Sequence, residues 1–324
     1  MNGMSFRNIV VLIILTAFGH CVMAQNQANP AFGVMIHYLP GKNQVPVIRP
    51  ASFERFAIQM KDMGASYLII TLGQNNGQFI APNRALTEIC PFATSNEPRA
   101  DIPLEVGQAL ARQKIGMVLY LPFRAPQDDP ALMRCLGDVS EQSPTVAAFT
   151  ANWSAIIRYW GEHYGSLAQG WWFDGVYNTT GMSAKDWSNI CDASNAGAPG
   201  RWLAFNSGEG ATRFDIKSAP CQNTMAGELN SLPDNKLLRS TSKQLRFHAL
   251  TPLTQSWGRP GAARYTSADI RQAIALAEAG GGMLTLDMPV SGQLELDPVH
   301  VELVRQATRA VNKSGASADL GKLK

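Results

Sequence analysis

From residue 32 onward, short apolar runs alternate with segments in which apolar residues recur at helical spacing. "FGVMIHY" (Phe32–Tyr38) reads as a strand, and after it Phe53, Phe56, Ala57 and Met60 fall at i, i+3, i+4 and i+7, a helix capped by Ser52 and stopped at Gly64. "SYLIITL" (Ser66–Leu72) is a continuous apolar run, as expected of a strand buried on both faces. A helix capped by Asp101 follows, with Val106, Ala109 and Leu110 on one side. "GMVLYLP" (Gly116–Pro122) repeats the strand signal, and a third helix opens with Ser143 as cap and Pro144 in its first turn. Its stripe of Phe149, Trp153, Ile156, Ile157 and Trp160 is a core face.

The fourth strand is "GWWFD". The runs "WLAFN" (Trp202–Asn206), "NTMAGE" (Asn223–Glu228), "LRFHALT" (Leu245–Thr251) and "GMLTLDMP" (Gly282–Pro289) bring the count to eight, the sixth being the weakest. Ser267 caps a helix carrying Ile270, Ala273, Ile274 and Ala277, and a terminal helix carries Leu303, Val304, Ala307 and Val311. Strand and helix in regular alternation over about 280 residues predict an α/β fold of the (β/α)8, or TIM barrel, type. An open doubly wound sheet would be expected to show a glycine-rich phosphate turn, and neither GxGxxG nor GKS/GKT occurs. The barrel is expected to span residues 25–312 as a single domain, followed by a small, polar and frayed tail over 313–324.

Composition narrows the partners. The 324 residues carry 28 basic and 25 acidic side chains, a net charge of +3, with no basic run or stripe. Nucleic-acid binding therefore has no electrostatic footprint. Residues 1–24 hold Arg7, an apolar run from Ile9 to Phe18, and Val22 and Ala24 placed for cleavage, the pattern of a signal peptide. That run is too short for a permanent bilayer anchor, so the expected location is secreted or periplasmic. Cys90, Cys135, Cys191 and Cys221 would remain, an even number in an oxidising compartment, permitting one or two disulfides with the pairing left open. Asn152, Asn178 and Asn312 stand in N-x-[ST] patterns, which matter only in a host that glycosylates. Oligomeric state is not legible.

In a barrel, chemistry collects at the C-terminal strand ends. Four such ends carry polar groups: His37, Gln74 with Asn75, Asp174 and Glu228. Asp174 follows Trp171, Trp172 and Phe173 and precedes Gly175, so the aromatic surroundings desolvate it while the glycine leaves its approach open. Glycoside hydrolysis needs two carboxyl groups flanking the scissile bond. With Asp174 as one, Glu228 in "AGELNSLPDN" is the candidate acid/base, and Glu209 and Asp287 compete for that role. His37, Gln74, Asn75, Trp172 and the rim aromatic Trp257 make up the expected sugar-binding set. His163, His248 and His300 show no metal-ligand spacing, and no metal or cofactor is expected.

Five stretches together resemble the α-L-fucosidases of glycoside hydrolase family 29: "FGVMIHYLPG", "MGASYLIITLGQNNGQF", "GWWFDGVY", "QSWG" and "LAEAGGGMLTLDMPVSGQLELDPVHVELV". The resemblance covers the catalytic barrel. It implies a retaining, exo-acting enzyme that removes terminal α-L-fucosyl residues from oligosaccharides or glycans, with Asp174 as nucleophile, Glu228 as acid/base and His37 on the sugar. Two departures stand out: Gln74-Asn75 replaces the family's His-His pair, and Tyr38 replaces a tryptophan. They leave room for a related L-sugar such as L-galactose, or for a barrel that binds carbohydrate without cleaving it. The β-sandwich that often follows the barrel in this family is not expected here.

Overall fold

The computed structural model describes residues 32–40, 47–96, 100–137, 147–177, 182–210 and 212–317; the leader, Ser143, Pro144 and Asn178 lie outside them. Strands β1 (Phe32–Ile36), β2 (Tyr67–Thr71), β3 (Gly116–Pro122), β4 (Ala168–Asp174), β5 (Trp202–Phe205), β6 (His248–Pro252) and β7 (Met283–Asp287) form one sheet. Its order is β5-β4-β3-β2-β1-β7-β6 and its pairings are all parallel. Between the strands run α1 (Pro50–Asp62), α2 (Arg84–Ile89), α3 (Ile102–Arg112), α4 (Pro130–Leu136), α5 (Ala147–Tyr164), α6 (Ala184–Ser194), α7 (Asn235–Ser240) and α8 (Ser267–Ala279), with α9 (Pro298–Ser317) after β7.

The strands read as unbroken apolar runs because both their faces are covered. In β1, Met35 points to an inner cluster with Ile69, Val118, Trp172, Ala204 and Leu250, whereas Val34 and Ile36 point to the layer beneath the helices. The side-chain period of two makes this division.

The expected eight-stranded barrel is corrected to seven strands and an irregular segment. Residues 223–228, read as the sixth of eight strands, take the place between β5 and β6 but keep only isolated parallel bridges, Thr224 to Arg246 and Glu228 to Leu250. Asn223 explains part of this, since its side chain does the work of backbone: Oδ1 accepts from Leu203 N–H at 2.8 Å, and Nδ2 donates to the Arg201 carbonyl at 2.9 Å. Gly227 explains the rest. Its φ of +73° is not a strand conformation, and a Cβ there would lie 2.0 Å from the His248 carbonyl oxygen.

Helix starts follow ordinary capping. Asp101 accepts from Leu104 N–H at 3.0 Å, as expected. Two other starts shift. The first helix begins at Pro50, so Ser52 lies buried in its first turn, and Thr266 rather than Ser267 caps α8, in a reciprocal box with Asp269. α9 runs on to Ser317, into the segment expected to begin the tail. The four cysteines pair as Cys90–Cys135 and Cys191–Cys221. The first joins the ends of α2 and α4, and the second ties α6 to the approach of the irregular segment.

Candidate active site

At the C-terminal ends of the strands, side chains from all eight positions converge. β4 ends on Asp174, and Phe205 at the end of β5 is followed by Asn206, itself buried. The Asn206 backbone N–H donates to the Phe173 carbonyl at 2.8 Å, which locks the two strand ends together. From there Asn206 Nδ2 reaches both acids, donating to Asp174 Oδ1 at 2.9 Å and to Glu228 Oε2 at 2.5 Å. Because one nitrogen serves both, those two oxygens lie no more than about 5.4 Å apart, the two bond lengths end to end. Asn206 Oδ1 accepts from Gly208 N–H at 3.1 Å, so the amide is held at both of its ends.

The other oxygen of Asp174 accepts from Tyr120 Oη at 2.5 Å, and Gln74 Nε2 donates to that same hydroxyl at 2.6 Å. Burial, then the Asp174 charge, pushes the Tyr120 phenol well above its ordinary pKa, so it remains a donor. Tyr120 is stacked on Trp172, with ring centroids 5.3 Å apart and an interplanar angle of 14°. Trp172 itself is 2 % exposed and donates Nε1 to the Ala226 carbonyl at 2.9 Å. It was expected in the sugar-binding set, but it lies one layer below the open face and supports Tyr120 from there.

Glu228 carries the most consequential shift. Burial, followed by the charge of Asp174, raises its pKa from 4.5 to about 7, against the opposing pull of the Asn206 hydrogen bond. Near neutral pH, then, it both holds and releases a proton. Glu209 is exposed and touches Glu228 only through its charge, while Gly210 N–H donates to the Glu228 backbone carbonyl at 2.9 Å. Asp287 has a different task. It is buried at the end of β7, accepts from Gly258 N–H at 2.5 Å, and stands 2.7 Å from His37 Nδ1. Burial of His37 opposes its positive charge, but Asp287, through charge and hydrogen bond, outweighs this and raises its pKa.

Trp257 packs edge to face against His37, with centroids 6.3 Å apart, at the partly exposed rim. Asn75 is half-buried beside Gln74, whose Oε1 accepts the Asn75 N–H at 2.9 Å. The structure thus gathers His37, Gln74, Asn75, Asp174, Glu228 and Trp257 at one end of the sheet. Sequence reasoning missed Tyr120 and Asn206. Both were visible as polar groups late in the third and fifth strand runs, the positions where chemistry was sought elsewhere.

The opposite end of the sheet is different. A cavity of ≈ 340 Å³ there is lined by Tyr67, Gln169, Arg201, Trp202 and Arg246 among others, near the strand starts. Arg201 donates to five backbone carbonyls, those of Ala168, Ser194, Ala196, Gly161 and Gly165, which is a structural use of the guanidinium.

No model of a known protein family matches the sequence. No curated protein matches it either. Solved structures do match in fold. An α-L-fucosidase of family 29 from Bacteroides thetaiotaomicron, trapped as a covalent intermediate with 2-fluoro-fucosyl fluoride, superposes with a TM-score of 0.62 at 16% identity, covering 88% of this chain and 73% of that one. The Lactobacillus casei α-L-fucosidase AlfC, in complex with α-L-fucose, gives 0.61 at 15% identity over 89% of this chain and 97% of that one. An endo-fucoidan hydrolase of glycoside hydrolase family 107 gives 0.66 at 12% identity over 91% and 95%. At these identities the likeness establishes a shared fold.

Proposed function

We propose that the protein is a retaining glycoside hydrolase that removes terminal α-L-fucosyl, or closely related L-sugar, residues from oligosaccharides or glycans. The observation that carries this reading is the carboxylate pair: Asp174 and Glu228 share one amide nitrogen, and their bridged oxygens lie within about 5.4 Å. Retaining glycosidases hold their carboxyl groups roughly 5–5.5 Å apart, whereas inverting ones need roughly 6.5–9.5 Å to admit a water. The fold shared with structures bearing fucosyl ligands directs the choice of sugar.

In the first step a carboxylate oxygen of Asp174 bonds to the anomeric carbon as the bond to the leaving oxygen breaks. The departing electron pair takes the proton of Glu228. In the second step the Glu228 carboxylate removes a proton from water, the water oxygen bonds to the anomeric carbon, and Asp174 departs as a carboxylate. Tyr120 and Asn206 each hold one oxygen of Asp174, which fixes the rotation of the attacking group. The imidazole of His37, oriented by Asp287, faces the same space and is suited to a sugar hydroxyl.

A related sugar is favoured by one feature. Gln74 gives its Nε2 to Tyr120, so at this position a side chain is committed to the catalytic layer. Residues 1–24, with their signal-peptide pattern, support export to the periplasm or the medium.

The test is release of phenol from a panel of aryl α-L-glycosides. The α-L-fucoside, or the glycoside of a related L-sugar, should be cleaved with retained configuration, and Asp174→Ala should lower kcat by about 10³-fold or more. Glu228→Gln should remove the basic limb, near pH 7, from the pH profile. Saturable sugar binding with no release from any glycoside would replace the hydrolase reading with that of a binding protein.

A further inference from the structure

Beyond the groups already described, the face beside Asp174 and Asn206 carries an aromatic ring with no assigned task. Tyr177 is 63% exposed, three residues past Asp174. Its ring is nonetheless seated. Gly175 and Gly208 both have positive φ, +78° and +123°, and a Cβ built on either would meet the ring: Cε2 at 3.6 Å from Gly175, Cε1 at 3.6 Å from Gly208. The two ring edges therefore rest against the two loops that leave Asp174 and Asn206. Side chains frame this seat. Gln127 Nε2 lies 3.8 Å and Arg213 Cδ 2.8 Å from those same Cβ positions, and Arg213 is anchored by an Nη1–H bond of 2.8 Å to the Ser207 carbonyl.

Tyr177 also belongs electrically to the site. Burial first, then the charges of Asp174, Glu228 and Glu209, with Arg213 opposing, raise its phenol to about 12, so the ring carries no charge at any pH where Glu228 titrates. An uncharged aromatic surface with hydrogen-bonding groups at its edges suits the C–H face and hydroxyls of a pyranose. Around the ring one cation, Arg213, faces three acids, Asp174, Glu228 and Glu209, a balance that disfavours an anionic ligand. The ring rests on the loops after β4 and β5, across the site from His37 after β1 and Asp287 at the end of β7, the pair suited to the transferred sugar, so the sugar that meets Tyr177 is the one on the leaving side.

We propose that Tyr177, framed by Gln127, Glu209 and Arg213, forms the subsite for the ring of the leaving group, a neutral pyranose. The proposal rests on the hydrolase reading above. The experiment compares two substrates that share the transferred sugar: an α-L-fucosyl disaccharide, whose leaving group is a pyranose, and α-L-fucosyl fluoride, whose leaving group has no ring.

Tyr177→Ala should lower the ratio of kcat/KM for disaccharide over fluoride by roughly 3- to 10-fold, the range for losing one exposed aromatic contact. Tyr177→Phe, which keeps the ring, should hold that ratio within about twofold of wild type. The basic limb of the disaccharide pH profile should stay in place in both variants. Three results would overturn the subsite. The ratio could be unchanged in Tyr177→Ala, it could fall equally in Tyr177→Phe, or it could fall together with a moved basic limb, which would make Tyr177 a modulator of Glu228. Where the aryl panel selects another L-sugar, the two substrates are built on that sugar; wild-type protein that cleaves neither of them nor any aryl glycoside would remove the hydrolase reading and the subsite with it, a failure distinct from cleavage with an unaltered ratio.

Discussion

Asn206 spends both hydrogens of one amide nitrogen on two acids, and that has a kinetic consequence. Hydrogen bonds to a carboxylate favour its charged form, and the bond from Asn206 opposes the burial that raises Glu228. Asn206→Ala should therefore move the basic limb of kcat/KM upward from about 7. It should also lower kcat by about 10²-fold or more, since both acids lose their common tether. A stopped pH profile on the aryl glycoside reads both effects, and an unmoved limb would deny Asn206 its hold on the proton. Asp174 and Glu228 were legible in the sequence because a lone carboxylate at the end of an apolar run is conspicuous. Asn206 and Tyr120 were not, because an amide or a phenol at such a position is common, and what distinguishes these two is a partner 32 or 54 residues away in the chain.

At the scale of elements, the segment between β5 and β6 shows why the strand count was overestimated. "NTMAGE" has the length and apolar content of a strand, but Asn223 pairs through its side chain and Gly227 turns left-handed, so only two bridges survive. The other seven strands were legible because each carries a run long enough to be buried on both faces. The irregularity serves the site, since a residue of positive φ immediately before Glu228 aims that side chain differently from a regular strand. Gly227→Ala should accordingly be severe. The methyl would meet the His248 carbonyl, and the backbone would lose its unstrained left-handed conformation, a cost of more than about 1 kcal/mol from the backbone alone. The expected outcome is a lowered denaturant midpoint together with loss of the titration near pH 7. A variant of wild-type stability and pH profile would contradict this account of the segment. Short helices such as α4 and α7 escaped sequence reading because seven and six residues are too few to show a period.

At the scale of the whole molecule, two groups, His248 fully buried and Glu228 half-buried, make stability depend on pH with opposite signs. His248 lies fully buried between the Met225 carbonyl at 3.0 Å and Thr285 Oγ1 at 2.7 Å, and burial lowers its pKa from 6.5 to about 4. Between those values the unfolded chain binds a proton that the folded chain refuses. Stability from this group is thus present above 6.5 and lost as pH falls toward 4, by about 3 kcal/mol at the limit. Glu228 is the reverse. Its folded pKa lies near 7 against 4.5, so the folded chain keeps a proton the unfolded chain releases, and stability is lost as pH rises from 4.5 to 7. His37, also raised, adds to that loss as pH climbs past 6.5. Between about 4.5 and 6.5 the His248 and Glu228 effects oppose each other, and wild-type stability should vary little with pH there. Glu228→Gln removes one side of the balance. Its denaturant midpoint should then climb steadily from pH 4.5 to 6.5 while the wild-type midpoint stays nearly level. Parallel curves for the two proteins would mean that Glu228 does not hold its proton in the folded state, which would also leave the proposed hydrolase without its acid.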